Sequence, residues 1–243
     1  MQFGFGSGSL WGTNTAANSS PQEFGALQDC SIDFSFSMKE LRGRFQMPLT
    51  VARGAGKIQG KAKSGNINAK LFNELFFGQA MATGKTATAQ NETAAIPATP
   101  FTVTVTNGAT FKKDLGVKFA LTGLPLVRVA SAPVTGQYSV NETTGAYLFA
   151  AADTGLSVMT TYTYTTTGGN TITLSNQLMG TTPYFSVILN EVYEGKAVTI
   201  ELLKCTSDKL TIATKLEDFI IPELGFEAMA NAAGIIGYLS IDE

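Results

Sequence analysis

Several short runs of this 243-residue chain have the residue types of binding or catalytic motifs. Gly84-Lys85-Thr86 has the ending of a phosphate-binding loop, in which backbone amides cradle phosphate and a lysine reaches its outer oxygens. That loop needs four residues between its two glycines and a strand before it; Gly78 leaves five, and a helical pattern precedes it. Gly4, Gly6 and Gly8 alternate, but Ser9 and Trp11 stand where a dinucleotide fingerprint would place its third glycine. Glu217, Asp218, Glu223 and Glu227 could pair as acid and base, a task that needs a dry pocket and a shifted pKa. Strand alternation instead puts several of them on solvated faces, so they read as a candidate acidic face acting through its field. Lys57, Lys61 and Lys63 share one side of a strand, with no interleaved aromatics of the kind a single-stranded nucleic-acid groove uses. The stripe reads as a solvated edge, or as a partner for an acidic neighbour.

The chain has no histidine, which removes the commonest general base and metal ligand. No catalytic residues, metal site or cofactor can be named, and the expectation is a non-enzyme. A net charge of −2 argues against a nucleic-acid grip, which concentrates Lys and Arg. Charged residues make up 15%, against roughly 25% for an ordinary soluble domain, so much of the surface is expected to meet other protein. Cys30 and Cys205 read as buried free thiols, with a bridge between core strands as the alternative. Met1 to Leu10 lacks the basic start and apolar run of a signal peptide, and no apolar stretch approaches the roughly 18 residues of a membrane span. The sequons at Asn18, Asn91 and Asn141 then read as turn residues.

The elements behind these residues are mostly strands. Residues 1–20 are rich in Gly, Ser, Asn and Thr, yet carry Phe3, Phe5, Leu10 and Trp11; they read as a flexible arm that orders by packing on its own domain or on a neighbour. Ile32, Phe34, Phe36 and Met38 alternate with Asp33, Ser35 and Ser37, the pattern of a half-buried strand. Residues 45–63 read as a hairpin with Arg53-Gly54-Ala55-Gly56 near its turn. Between Asn66, a candidate N-cap, and Gly78, a candidate terminator, Ile67, Leu71 and Leu75 repeat at helical spacing. Residues 79–100, dominated by Ala and Thr, read as a loop. Short strands follow at 102–106, 138–140, 147–149 and 158–164, with a turn at Gly168-Gly169-Asn170. Longer ones are expected at 198–204 and 209–215, then 219–221, 226–230 and 236–241, with 227–234 alternatively a short helix.

Several phrases resemble the major tail tube proteins of long-tailed bacteriophages. They are Pro21-Gln22-Glu23-Phe24-Gly25-Ala26-Leu27-Gln28-Asp29 with the alternating strand after it, Lys39-Glu40-Leu41 and Phe45-Gln46-Met47-Pro48. Lys57-Ile58-Gln59-Gly60-Lys61-Ala62-Lys63, Leu71-Phe72-Asn73-Glu74-Leu75-Phe76-Phe77-Gly78 and the closing stretches 209–219 and 226–237 fit the same pattern. The likeness covers about residues 20–80 and 185–243; the stretch 100–175 resembles β-rich insertions of some phage virion proteins.

The resemblance implies an all-β fold with one flanking helix, a tail-tube-like sandwich or barrel. A discontinuous tube domain (21–88 and 176–243) would carry an inserted, outward-projecting, Ig-like or sandwich domain (89–175). It implies a homo-oligomer of six-membered stacked rings in the virion tail, assembled in the host cytoplasm beside other tail proteins. Double-stranded DNA would pass through an acidic lumen without specific binding. Candidate subunit-interface residues are Phe3, Phe5, Trp11, Phe45, Met47, Pro48, Arg53, Lys57, Lys61 and Lys63. Competing expectations are a capsid decoration or head–tail connector subunit, and a carbohydrate- or receptor-binding module using Tyr162 and Tyr164.

Overall fold

Leu10, buried completely, ties the glycine-rich start of the chain into a sheet, so the arm is not flexible throughout. A computed structural model describes residues 3–242; residues 1 and 2 of the expected arm lie outside them. The chain is mostly β with a single short helix, and it divides into two units: Met1–Ala80 with Ile172–Glu243, and Met81–Thr171.

The first unit opens with β1 (Ser9–Asn14) and β2 (Gln22–Glu23), followed by the long pair β3 (Leu27–Arg42) and β4 (Pro48–Ser64). The turn of this pair lies at residues 43–47. Arg53 to Gly56 are therefore inside β4, opposite Met38 and Phe36, and not at a turn. Glycine suits Gly56 for another reason: a Cβ there would stand 2.8 Å from Cε1 of Phe36, which lies across the strand.

Helix α1 (Ala69–Phe72) continues as a π-turn over Asn73–Phe77 and ends at Gly78, whose φ of 57° is left-handed. Its N-cap is Asn68, not Asn66: the Asn68 side-chain oxygen accepts from the backbone N–H of Lys70 at 3.0 Å and of Leu71 at 3.3 Å. Ile67 consequently lies outside the helix and is exposed, while Leu71, Phe72 and Leu75 are buried.

The second unit comprises β5 (Met81–Ala95), β6 (Thr102–Thr104), β7 (Phe111–Phe119), β8 (Val127–Arg128), β9 (Gln137–Asn141), β10 (Ala146–Phe149) and β11 (Ser157–Ile172, whose last residue belongs to the first unit). A four-stranded sheet (β6-β10-β9-β8) and a three-stranded one (β5-β11-β7) enclose a core of Val117, Tyr138, Tyr147, Phe149, Val158 and Tyr162. The unit thus begins at Met81, because the Ala/Thr stretch expected as a loop is a strand. Nor does the chain turn at Gly168 to Asn170: β11 runs straight through them.

The chain then re-enters the first unit as β12 (Phe185–Tyr193), β13 (Lys196–Thr211), β14 (Glu223–Ala228) and β15 (Gly237–Ile241). The two strands expected at 198–204 and 209–215 are one, β13, with a register shift between Ser207 and Lys209. Residues 219–221 are not a strand, and 227–234 do not form a helix. The sheet order is β2-β1-β12-β13-β14-β4-β3, with β15 also on β13. Its core face packs Leu10, Ala62, Phe185, Val187, Leu202, Cys205, Leu224 and Phe226 with the helix side chains Leu71, Phe72 and Leu75. Gly12 permits that closeness, since a Cβ there would lie 2.5 Å from Cδ1 of Leu75.

Candidate functional site

Strands β3 and β4 pair along their whole length, from Leu27 opposite Ser64 to Arg42 opposite Pro48. Only Ile58–Lys63 of β4 has a second partner, β14. From Pro48 to Lys57 the pair is a two-stranded ribbon, which has little stability of its own. β3, 16 residues long and at the margin of the sheet, has no second strand beside it among the described residues, though the Ser7 hydroxyl donates to its first carbonyl, Leu27, and such an edge invites pairing with another chain.

The ribbon carries apolar side chains without a core. Phe34 is 54% exposed, Phe36 52%, Met38 58%, Leu41 62%, Phe45 69%, Met47 78% and Leu49 68%, so the face expected to be half-buried is open to water within one chain. Each such side chain is worth about 1.5–3 kcal/mol when fully buried. The guanidinium of Arg53 lies 4.8 Å from the centroid of the Phe36 ring, and that of Arg44 lies 5.3 Å from that of Phe45. Where the ribbon leaves the sheet, Phe34, Ile58, Ile200, Leu202, Tyr238 and Leu239 help to line an apolar recess of about 130 Å³.

At the base of the ribbon the lysine stripe meets acids across the ladder. Lys57 Nζ is 3.1 Å from a carboxylate oxygen of Glu227. Lys63 Nζ lies 3.5 Å from Asp29 and 3.7 Å from Glu223. Lys61 stands between Ser31 and Gly225. The paired side chains keep about a third to a half of their surface in water, so each pair contributes roughly 0–1 kcal/mol. Their consequence is charge cancellation.

The four expected acids do not form one face. Glu223 and Glu227 lie on β14 among the lysines, whereas Glu217 and Asp218 sit in the loop between β13 and β14. Asp218 accepts from Lys215 Nζ at 3.1 Å and from the Phe219 N–H at 2.9 Å, and these bonds hold its pKa below the ordinary value.

The remaining interface candidates divide. Phe3 and Phe5 are exposed, Phe5 tilted against Tyr193 with ring centroids 6.0 Å apart. Phe45, Met47, Pro48 and Arg53 all belong to the ribbon or its turn. Trp11 is half-buried inside its own sheet, between Glu23 and Ile188.

The motifs that imitate chemistry dissolve on folding. Gly84-Lys85-Thr86 lies within β5, which continues to Ala95 where a phosphate-binding loop would need a helix. Cys30 and Cys205 are free thiols; burial pushes them up to about 11 and about 12, with the Asp29 charge adding to the shift at Cys30. Tyr162 is fully buried and its hydroxyl donates to Glu92 at 2.6 Å, so it cannot stack on a sugar. Tyr164 is half-buried against the same core.

The second unit has a polar centre that sequence reasoning missed. Asp114 accepts from the hydroxyls of Tyr138 at 2.7 Å and Tyr147 at 2.9 Å and from the Gly116 N–H at 3.0 Å, with Arg128 Nη1 3.7 Å away. Burial, then the bonded carboxylate, pushes both tyrosines well above the ordinary phenol range. All four groups are engaged with one another, an arrangement suited to holding the sandwich together. An apolar recess of about 750 Å³ elsewhere in the unit is lined by Phe119, Leu121, Leu124 and Leu156 without a titratable side chain. No protein-family model matches this chain, and no curated protein matches it.

Proposed function

We propose that this chain is a structural subunit that assembles with copies of itself into stacked rings, as a tail tube does, and leaves a channel for DNA. The observation that carries the proposal is the β3–β4 ribbon: a long strand pair with exposed Phe, Met and Leu side chains and an uncovered edge. A free monomer would hold that surface at a standing cost in hydration. Identical neighbours would cover it, and closure into a ring would pair the margins of the sheet.

The proposed channel wall is the sheet face opposite the helix. Lys57 and Lys63 are already paired there with Glu227, Asp29 and Glu223, which among the described residues leaves Lys61 as the unpaired lysine of the stripe, so a passing phosphate backbone would meet little net field. Passage without binding then follows from cancellation, not from the acidic lumen that the resemblance implies.

The test is assembly of the purified chain, followed by sedimentation velocity and negative-stain microscopy. Rings or tubes are expected from the wild type. Phe36→Asp with Met38→Asp should give monomers with unchanged near-ultraviolet circular dichroism. A wild type that stays monomeric at millimolar concentration would refute the proposal, and so would a double variant that assembles normally.

A further inference from the structure

The two ends of the β3–β4 pair differ in chemistry. The ribbon turn lies at one end, surrounded by Leu41, Phe45, Met47 and Leu49. Lys39, Arg42, Arg44 and Arg53 against Glu40 give this end a net charge of +3. At the other end Ser64 donates its N–H to the Pro222 carbonyl at 3.1 Å, which fixes the 212–222 loop at the base of the ribbon. That loop exposes Ile212 (53%), Leu216 (98%) and Phe219 (88%). Lys215 against Glu217 and Asp218 leaves the loop at −1.

The 17 residues of β4 separate the two ends by roughly 50 Å at the usual strand rise. A ribbon turn cannot fold back that distance onto its own 212–222 loop. Another copy has no such constraint.

We propose that the 212–222 loop is the receiving surface for the ribbon turn of a second copy of this chain. Leu216 and Phe219 would pack among Phe45, Met47 and Leu49, and Glu217 would face the arginines. The proposal rests on the self-assembly reading and adds its direction. Turn and loop are different surfaces, so the contact is heterologous, and with the two at opposite ends of the strand pair it propagates along the strand direction. Repeated along the strand direction, it joins one ring to the next, while the β3 edge remains for contacts within a ring. It also gives the acids Glu217 and Asp218, which stand apart from the sheet face, a role.

The test uses two full-length chains, Phe45→Cys and Phe219→Cys, mixed in equal amounts and treated with a short bismaleimide. Both sites are exposed, whereas Cys205 is buried, Cys30 is half-buried, and both native thiols are poorly ionised near neutral pH. A covalent dimer of unlike chains is expected, in excess over either like pair. In parallel, Glu217→Lys with Asp218→Lys should abolish stacked tubes yet leave single rings, and adding Arg42→Glu with Arg44→Glu should restore stacking. Normal tubes without the mixed dimer, or tubes unaffected by the acidic-to-basic change, would overturn this inference and leave self-assembly standing. Monomers under all conditions would overturn both.

Discussion

Replacing Asp114 by alanine should destabilise the second unit and leave the first untouched. The carboxylate is the acceptor for two buried hydroxyls, Tyr138 (3% exposed) and Tyr147 (0%), neither of which has water to turn to. An orphaned buried polar group costs about 1–3 kcal/mol, so two give about 2–6 kcal/mol before any cavity is counted. Arg128 adds little to this, because it is 45% exposed and keeps Glu142 at 2.8 Å. In a unit of this size 1 kcal/mol moves the midpoint by roughly 4–8 °C, so a middle value of ~3 kcal/mol predicts a fall of ~12–24 °C. The aromatic residues allow the two units to be read separately. Four of the seven tyrosines, Tyr138, Tyr147, Tyr162 and Tyr164, lie in the second unit, whereas Tyr184, Tyr193 and Tyr238 lie in the first with the single tryptophan, Trp11. Tryptophan fluorescence therefore reports the first unit, and the part of a tyrosine circular dichroism melt that does not follow it reports the second. Asp114→Asn should cost less than Asp114→Ala, because its one oxygen keeps one hydroxyl and its amide can donate to the other. A tyrosine midpoint lowered by less than ~4 °C in the alanine variant, or an equal shift at Trp11, would show that the network does not hold this unit together.

Glu92 makes the same unit sensitive to acid. Burial raises its pKa, but bonds from the Tyr162 hydroxyl and from the Thr106 N–H and hydroxyl outweigh that and leave it below the ordinary 4.5. A depressed folded pKa stabilises above the unfolded value and is lost as pH falls through the folded one. The tyrosine midpoint should therefore drop as pH falls below about 4.5, and Glu92→Gln should flatten that drop. Gly60→Ala should cost the first unit about 1–3 kcal/mol in denaturant titrations, because the added methyl would enter the ring of buried Phe226. Removing Met81–Thr171 and joining Ala80 to Ile172 through a short glycine link should leave the Trp11 melt within a few degrees of wild type. Thr173 N–H already donates to the Ala80 carbonyl at 3.1 Å, so the two chain ends meet.

What could be read from the residues was whatever local amplitude made visible. The alternation of Ile32 to Met38 marks β3 because Phe and Ser differ greatly in hydropathy. β5 went unread because Ala and Thr differ little, although Ala89 and Ala94 do pack on the second core. Gly168-Gly169-Asn170 has the composition of a turn, yet its neighbourhood accounts for the glycine: a Cβ on Gly169 would lie 3.0 Å from Cδ of Lys85 on β5. The helix cap slipped from Asn66 to Asn68 because the Ser64 hydroxyl, which donates to the Gly25 carbonyl at 2.8 Å, already accepts the backbone N–H of Asn66. Pairings between distant segments had no local sign at all. Lys57 and Glu227 both looked like solvated charges, and only the β4–β14 register makes them partners.

The β3 pattern also shows the limit of burial inferred from periodicity. Ile32 is half-buried beside the core, and Phe34, two residues on, is already 54% exposed, though both obey the same alternation. The pattern marks residues that need cover, and says nothing about whether the cover belongs to the same chain. Within this chain cover ends where β14 ends, at Ala228 opposite Ile58, and beyond that point β4 has only β3 beside it. A two-stranded ribbon with wet phenylalanines is poorly stabilised by itself. Past Phe34 the apolar alternation has no core to serve within one chain, and the proposed assembly is what would give it one.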